Sequence, residues 1–112
     1  MSVAYLVIYE GNPEDPDAFL DYYINHHLPI IWTWPQIRSV EVDLSTTGGD
    51  ALANPSDLFM IARFIFDTID DLQVALASPE RILAREDSHN FPPFQGKMCH
   101  QAVRIIDVPN NK

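Results

Sequence analysis

Residues 22–30 read Tyr22-Tyr23-Ile24-Asn25-His26-His27-Leu28-Pro29-Ile30, and the chain on either side is organised around them. Phe19, Tyr22, Tyr23 and Ile30 recur at helical spacing, so the stretch is the back half of an amphipathic helix. The helix begins where Asp15 offers a capping carboxylate and Pro16 takes the first position, at which a missing N–H costs nothing. The spacing predicts a helix from about Pro16 to Leu28, ended by Pro29, which disfavours helical geometry in the residue before it. One turn separates Tyr23 from His27 and Tyr22 from His26, so each histidine sits over a phenol, and the two histidines point roughly 100° apart.

Upstream, Val3 to Tyr9 is apolar on both faces, as in a strand covered on both sides, and Gly11, Asn12 and Pro13 read as its end. Downstream, Trp32-Thr33-Trp34-Pro35 is an aromatic loop. From Arg38, Val40, Val42 and Leu44 alternate with Ser39, Glu41 and Asp43, giving an edge-like second strand with one apolar and one polar face. Ser45 to Asp57 carries Gly48-Gly49, Asp50, Asn54 and Pro55 and reads as a long loop; as a phosphate loop it is weak, because the next element is a strand and not a helix. That third strand spans Leu58 to Phe66. Thr68 with Asp71 resembles a capping box, and Ile69, Leu72 and Leu76 form the buried stripe of a second helix. Ser78-Pro79 restarts a helix that runs to about Asp87. Asn90 to Gly96 reads as a proline-rich return loop, and Met98 to Val108 as a last strand that is central or interface-forming.

The order strand, helix, strand, strand, helix, strand predicts an α+β fold. It is a ferredoxin-like βαββαβ arrangement, with an antiparallel four-stranded sheet and both helices on one face. Two helices shield one face only, while strands one, three and four are apolar on both. A homodimer through the uncovered sheet face, enclosing cavities as a dimeric α+β barrel, follows as the expectation. Burial of roughly 1,000 Å² per protomer at roughly 25 cal/mol per Å² supplies tens of kcal/mol before association costs.

At 112 residues the chain is read as one domain. Its 7 basic and 16 acidic side chains, net −9, argue against nucleic acid or an anionic membrane surface as partner, since phosphate would be repelled. Cys99 stands alone, no leader-like apolar segment follows a basic start, and no run reaches the roughly 20 apolar residues needed to span a bilayer. A cytoplasmic protein is expected. Both tryptophans and all four tyrosines lie in the first 34 residues, which points to an aromatic-lined cavity or interface.

These features, in this order, resemble the EthD family of dimeric α+β barrels, named for a protein of ethyl tert-butyl ether degradation. The family pattern of a helix ending in tyrosine, then His-x-Pro-aliphatic, appears as Tyr23 and His27-Leu28-Pro29-Ile30. A Pro-Gly-Leu-Arg-like strand start appears as Pro35-Gln36-Ile37-Arg38. Phe64-Ile65-Phe66-Asp67, Ser78-Pro79-Glu80, and Asp87 with Phe91 complete the set. Gln36 stands where glycine is usual and Arg63 where an acid is common, and the second departure favours a negatively charged ligand. The resemblance implies a small-molecule-binding protein that performs cofactor-independent chemistry (isomerase, dehydratase or oxygenase type) on a small aromatic or polyketide-like metabolite. The alternative it leaves open is a non-catalytic accessory protein of an oxidative degradation pathway.

On this reading the catalytic candidates are His27 as general base at the barrel mouth, Tyr23 beside it, and Asp87 to fix the imidazole tautomer. The structural alternative for His27 is a helix-end residue that caps carbonyls and gains from the helix dipole. Ligand-binding candidates are Tyr22, His26, Trp34, Arg63 and Phe91, with the aromatic rings as a flat wall and a phenol as polar handle. Glu41 or Asp43 on the neighbouring strand offers Arg63 an ordinary ion pair instead. His26, His27, His89, His100 and Cys99 lack chelating spacing, so neither metal nor organic cofactor is expected.

Overall fold

The computed structural model describes residues 1–46 and 56–111. Its elements are β1 (Val3–Pro13), α1 (Pro16–Tyr22), a π-helical turn (Tyr23–His27), α2 (Leu28–Ile31), β2 (Ser39–Leu44), β3 (Leu58–Phe66), α3 (Ile69–Leu76), α4 (Pro79–Asp87) and β4 (Phe94–Arg104). The strands form one antiparallel sheet in the order β2-β3-β1-β4, with the helices on one face. This is the ferredoxin-like α+β fold.

Register assigns each strand residue to a face. Val3↔Phe66, Tyr5↔Phe64, Val7↔Ala62 and Tyr9↔Met60 pair across β1 and β3, and these residues look into the core under the helices. Phe19, Tyr23, Leu28, Ile31 and Leu72 meet them from the helical layer. Leu6↔Arg63 and Ile8↔Ile61 alternate with the core pairs, so they face the side that no helix of this chain covers. Leu6, Ile8 and Ile61 are half-buried there.

Several boundaries differ from the sequence reading. Pro29 does not end the helix, which runs on to Ile31. The π turn widens the spiral just before it, and Leu28 N–H bonds to Tyr23 O, five residues back. That wider turn accommodates a proline that lacks an N–H and would crowd a regular α-turn. Gly11 does not break β1 either, since Gly11↔Gly96 and Pro13↔Phe94 continue the ladder with β4. What ends at Glu10 is the pairing with β3, through a register shift. The last strand starts at Phe94, inside the expected return loop, and is an edge, not a central strand. Ile69 is largely exposed and Ala75 takes its place in the buried stripe. Gln36 adopts φ 66°, the left-handed region that a glycine occupies without steric cost. Most of the loop read over Ser45 to Asp57 lies outside the described residues.

Candidate functional site

The three capped helix starts fix where the site can be. Asp15 accepts from Ala18 N–H, Thr68 from Asp71 N–H and Ser78 from Arg81 N–H, so the helices begin where the sequence dictates. The turn carrying Tyr23 and His27 therefore lies over β1, and Asp87 closes α4 beside it. Tyr23 is 1 % exposed and His27 6 %, with ring centroids 5.2 Å apart. His26, one residue back, is exposed and stacks on Tyr22 at 5.0 Å.

Asp87 gathers three donors. The Tyr22 hydroxyl donates to Oδ1 at 2.7 Å, His27 Nδ1–H to Oδ2 at 2.9 Å, and Asn90 Nδ2 to Oδ1 at 3.3 Å. Burial alone would raise this carboxyl, but the hydrogen bonds from Tyr22, His27 and Asn90 outweigh it and hold Asp87 below its ordinary value. Burial pushes the His27 imidazole below its ordinary value, and the Asp87 carboxylate opposes that only in part. Near neutrality the ring is thus uncharged, with its proton on Nδ1 and a lone pair on Nε2. Phe91 packs edge-on against it at 4.6 Å and fixes its plane.

His27 lines a cavity of about 80 Å³ between the sheet and the helices. Tyr5, Val7 and Tyr9 of β1 floor it, Tyr23 and Trp34 wall it, and Arg81, Arg85, Met98 and His100 stand where it reaches the surface. Burial pushes the Tyr9 phenol up to about 12, an effect eased by the neighbouring Tyr23 hydroxyl. Tyr23 itself is pushed well above its ordinary value by burial first and by Tyr9 second. Both therefore stay protonated and act as donors. Tyr23 Oη and Trp34 Nε1 are buried, and neither has a hydrogen-bond partner of good geometry among the described residues. Buried donors left unmatched cost about 1–3 kcal/mol each, and an acceptor in the cavity relieves that cost only if the two side chains shift toward it, because neither atom meets the open space of the cavity.

The sequence profile of the EthD domain matches residues 12–92, most of the chain and all of the helical layer that carries this site. The chain belongs to the EthD family. An EthD family protein from Bacillus halodurans C-125 superposes with a TM-score of 0.76 at 24% identity, over 95% of this chain and 100% of that one. The hydroxynitrile lyase of Passiflora edulis has the same fold at a TM-score of 0.69 and 13% identity, over 97% of each chain. An 11.0 kDa protein from the thcB–thcC intergenic region of Rhodococcus erythropolis is 29% identical over 87 residues, covering 77% of this chain and 81% of the relative.

In this EthD chain the residues singled out from sequence separate into three groups. His27, Tyr23, Trp34 and Phe91 line the cavity, while Asp87 and Tyr22 stand behind it in the hydrogen-bond cluster. His26 is outside, on the exposed face of the helix. Arg63 is on the opposite face of the sheet, 3.4 Å from Glu41 and 3.9 Å from Asp43, so the ion pair is its setting and not the cavity. The cavity also lies on the helix-covered side, not at the mouth of a barrel closed by two sheets. A side chain of the helical layer reaches only the face its helix covers. Sequence reasoning passed over Tyr5, Tyr9, Arg81 and Arg85, and weighed His100 only as a metal ligand; the alternation of Tyr5, Val7 and Tyr9 on one face was the available signal for the first two. No group of three His, Cys, Asp or Glu side chains is gathered as for a metal ion among the described residues.

Proposed function

We propose that this EthD protein is a cofactor-independent enzyme that moves a proton on a small carbonyl or hydroxyl compound, with His27 as the base. The observation that carries the reading is a buried, neutral imidazole anchored through Nδ1 by Asp87 on the wall of an aromatic-lined cavity. Nε2 takes the proton from an acidic C–H or O–H. The negative charge that develops on the substrate oxygen is met by the Tyr23 hydroxyl and the Trp34 N–H, which turn toward it as the substrate seats. Asp87 positions the ring and stabilises its protonated form. The hydroxynitrile lyase of Passiflora edulis has the same fold, which supports proton-transfer chemistry on a carbonyl-derived substrate here. The small cavity supports a compact ligand or the compact end of a larger aromatic one.

The test is solvent exchange. In D2O, small β-dicarbonyl and hydroxyaryl carbonyl compounds are expected to take up deuterium faster with protein than with buffer, as followed by NMR. Binding without exchange across the panel would overturn the catalytic reading in favour of an accessory binding protein.

We infer in addition that the protein is a cytoplasmic homodimer, joined through the sheet face that its own helices leave bare. Support comes from Leu6, Ile8 and Ile61, half-buried at the centre of that face, with Glu10, Asp43 and Lys97 on flanking positions of the same side. Arg63, opposite Leu6, lies among them with its charge met by Glu41 and Asp43, so a subunit contact here buries an apolar patch beside one neutralised ion-pair cluster. No helix among the described residues is long and apolar enough to cross a membrane. Analytical ultracentrifugation is expected to give a dimer throughout the micromolar range. A folded monomer there would refute the assignment.

A further inference from the structure

Two of the chain's seven lysines and arginines stand together at the mouth of the cavity. The chain carries 16 acidic side chains against 7 lysines and arginines. Arg38 is matched by Asp67 at 2.9 Å, and Arg63 by Glu41 and Asp43. Arg81 and Arg85 sit one turn apart on α4, line the cavity, and take part in none of the ion pairs among the described residues. The carboxylate that faces the cavity wall, Asp87, is already occupied by Tyr22, His27 and Asn90.

Two guanidinium groups at this spacing repel each other, so keeping both at one opening costs stability unless something negative joins them. Arg81 is half-buried and partly fixed by donating Nη1–H to Leu76 O at 3.3 Å, whereas Arg85 is exposed and free to swing. Across the opening, His100 packs against Tyr5 with ring centroids 5.4 Å apart and the planes tilted by 36°. Burial lowers the His100 imidazole first, and the two arginines lower it further, which places their field at the opening. A neutral His100 there adds a hydrogen-bonding edge and no charge.

We propose that the cavity takes its ligand as a small organic anion, a carboxylate or phenolate. Arg81 and Arg85 hold the charged group at the mouth while the uncharged carbonyl or hydroxyl end reaches His27, Tyr23 and Trp34. The planar fork of arginine matches a carboxylate with two parallel hydrogen bonds, as an ammonium does not. A cavity of about 80 Å³ admits only a few heavy atoms, which leaves the charged group outside, level with the arginines. This substrate class rests on the proposed proton-transfer site, but the anion contact is separable from it: the arginines bind and His27 reacts.

The experiment uses the full chain and defined probes. Salicylate, acetoacetate and benzoate are titrated by NMR against their uncharged amides, on wild type, Arg85→Gln, Arg81→Gln/Arg85→Gln and His27→Gln. Wild type is expected to bind the acids and to bind the amides at least tenfold more weakly. Each arginine lost is expected to weaken acid binding about tenfold, with the amides unaffected. Added salt is expected to weaken only the acids. Arg85 is exposed, so the single variant keeps the fold even if the double variant, which also loses the Leu76 contact, does not. Amides bound as tightly as acids, acid affinity indifferent to Arg85→Gln, or no acid bound at millimolar concentration would each overturn the proposal. His27→Gln separates the two claims: acid binding kept with exchange lost supports both. Arginine-dependent binding with no exchange in wild type removes the base and leaves the anion site. Exchange of acetoacetate indifferent to both arginines removes the anion site and leaves the base.

Discussion

Glutamine in place of His27 is expected to lower proton exchange or turnover by about 10²- to 10⁴-fold, the range a positioned acid–base group contributes. Glutamine fills part of the space and still donates to Asp87, but it cannot take up a proton near neutral pH. The lost ring contacts with Phe91 and Tyr23 cost about 1–2 kcal/mol, well short of unfolding a domain stable by roughly 5–15 kcal/mol. The pH behaviour separates a base from a structural residue. Because burial lowers the folded pKa of His27, the reactive neutral form persists at pH values where an ordinary histidine is already protonated, and activity falls only below that. Stability has the matching sign. In the unfolded chain the ring protonates near its ordinary value of about 6.5, so acid draws the protein toward unfolding as pH falls through that value. The contribution is fully present above it and is gone once pH passes below the folded value. Asp87, also lowered, loses its own contribution at lower pH still and in the same direction. Thermal melts from pH 8 to 4 are therefore expected to converge for wild type and His27→Gln as the solution is acidified. Turnover in His27→Gln equal to wild type, or an activity profile centred at the ordinary histidine value, would remove His27 from the chemistry.

Parts of the fold set by neighbours in sequence were legible. Asp15, Thr68 and Ser78 each cap through a residue three positions on, and Leu58 to Phe66 is an apolar run whose ends the structure reproduces. Local rules failed where a partner from elsewhere overrides them. Pro29 follows a π turn and so does not stop the helix, and Gly11 looks like a break until Gly96 is known to lie opposite. The site divides in the same way. Tyr23 over His27 is a one-turn relation written in the sequence. His27 and Asp87 stand 60 positions apart, and only resemblance to a family brought them together before the structure did. Arg81 and Arg85 on α4 have the pattern of a solvated helix face; what makes them a cavity mouth is β4 across the gap, which no pattern within α4 records.

Alanine at Gly96 is expected to be the most damaging single-methyl change in the described chain. Gly11 and Gly96 face each other across β1 and β4 with φ of 134° and 152°, values that side chains with a Cβ rarely adopt. A Cβ on Gly96 would lie 2.0 Å from Glu10 O and 2.8 Å from Gly11 Cα. On Gly11 it would lie 2.2 Å from Gln95 O. The obstructing atoms are all backbone, so no rotamer change relieves them, and β1 is held on its other side at this point by the Gly11 N–H bond to Asp57 O at 2.8 Å. Strain at the glycine-only dihedral and overpacking each cost about 1–3 kcal/mol, and together about 3 kcal/mol or more. For a domain of this size that lowers Tm by roughly 10–20 °C. Gln95→Ala, next door and exposed, is expected to stay within about 0.5 kcal/mol of wild type. The damage also has a direction. The strand relieves the clash by peeling β4 from β1 at this end, and Met98 and His100 lie two and four residues along it at the cavity mouth. Gly96→Ala that survives at low temperature is therefore expected to bind the acid probes more weakly than Gln95→Ala does. A Gly96→Ala protein that melts within about 2 °C of wild type would show that β1 and β4 do not approach as closely as the structure has them.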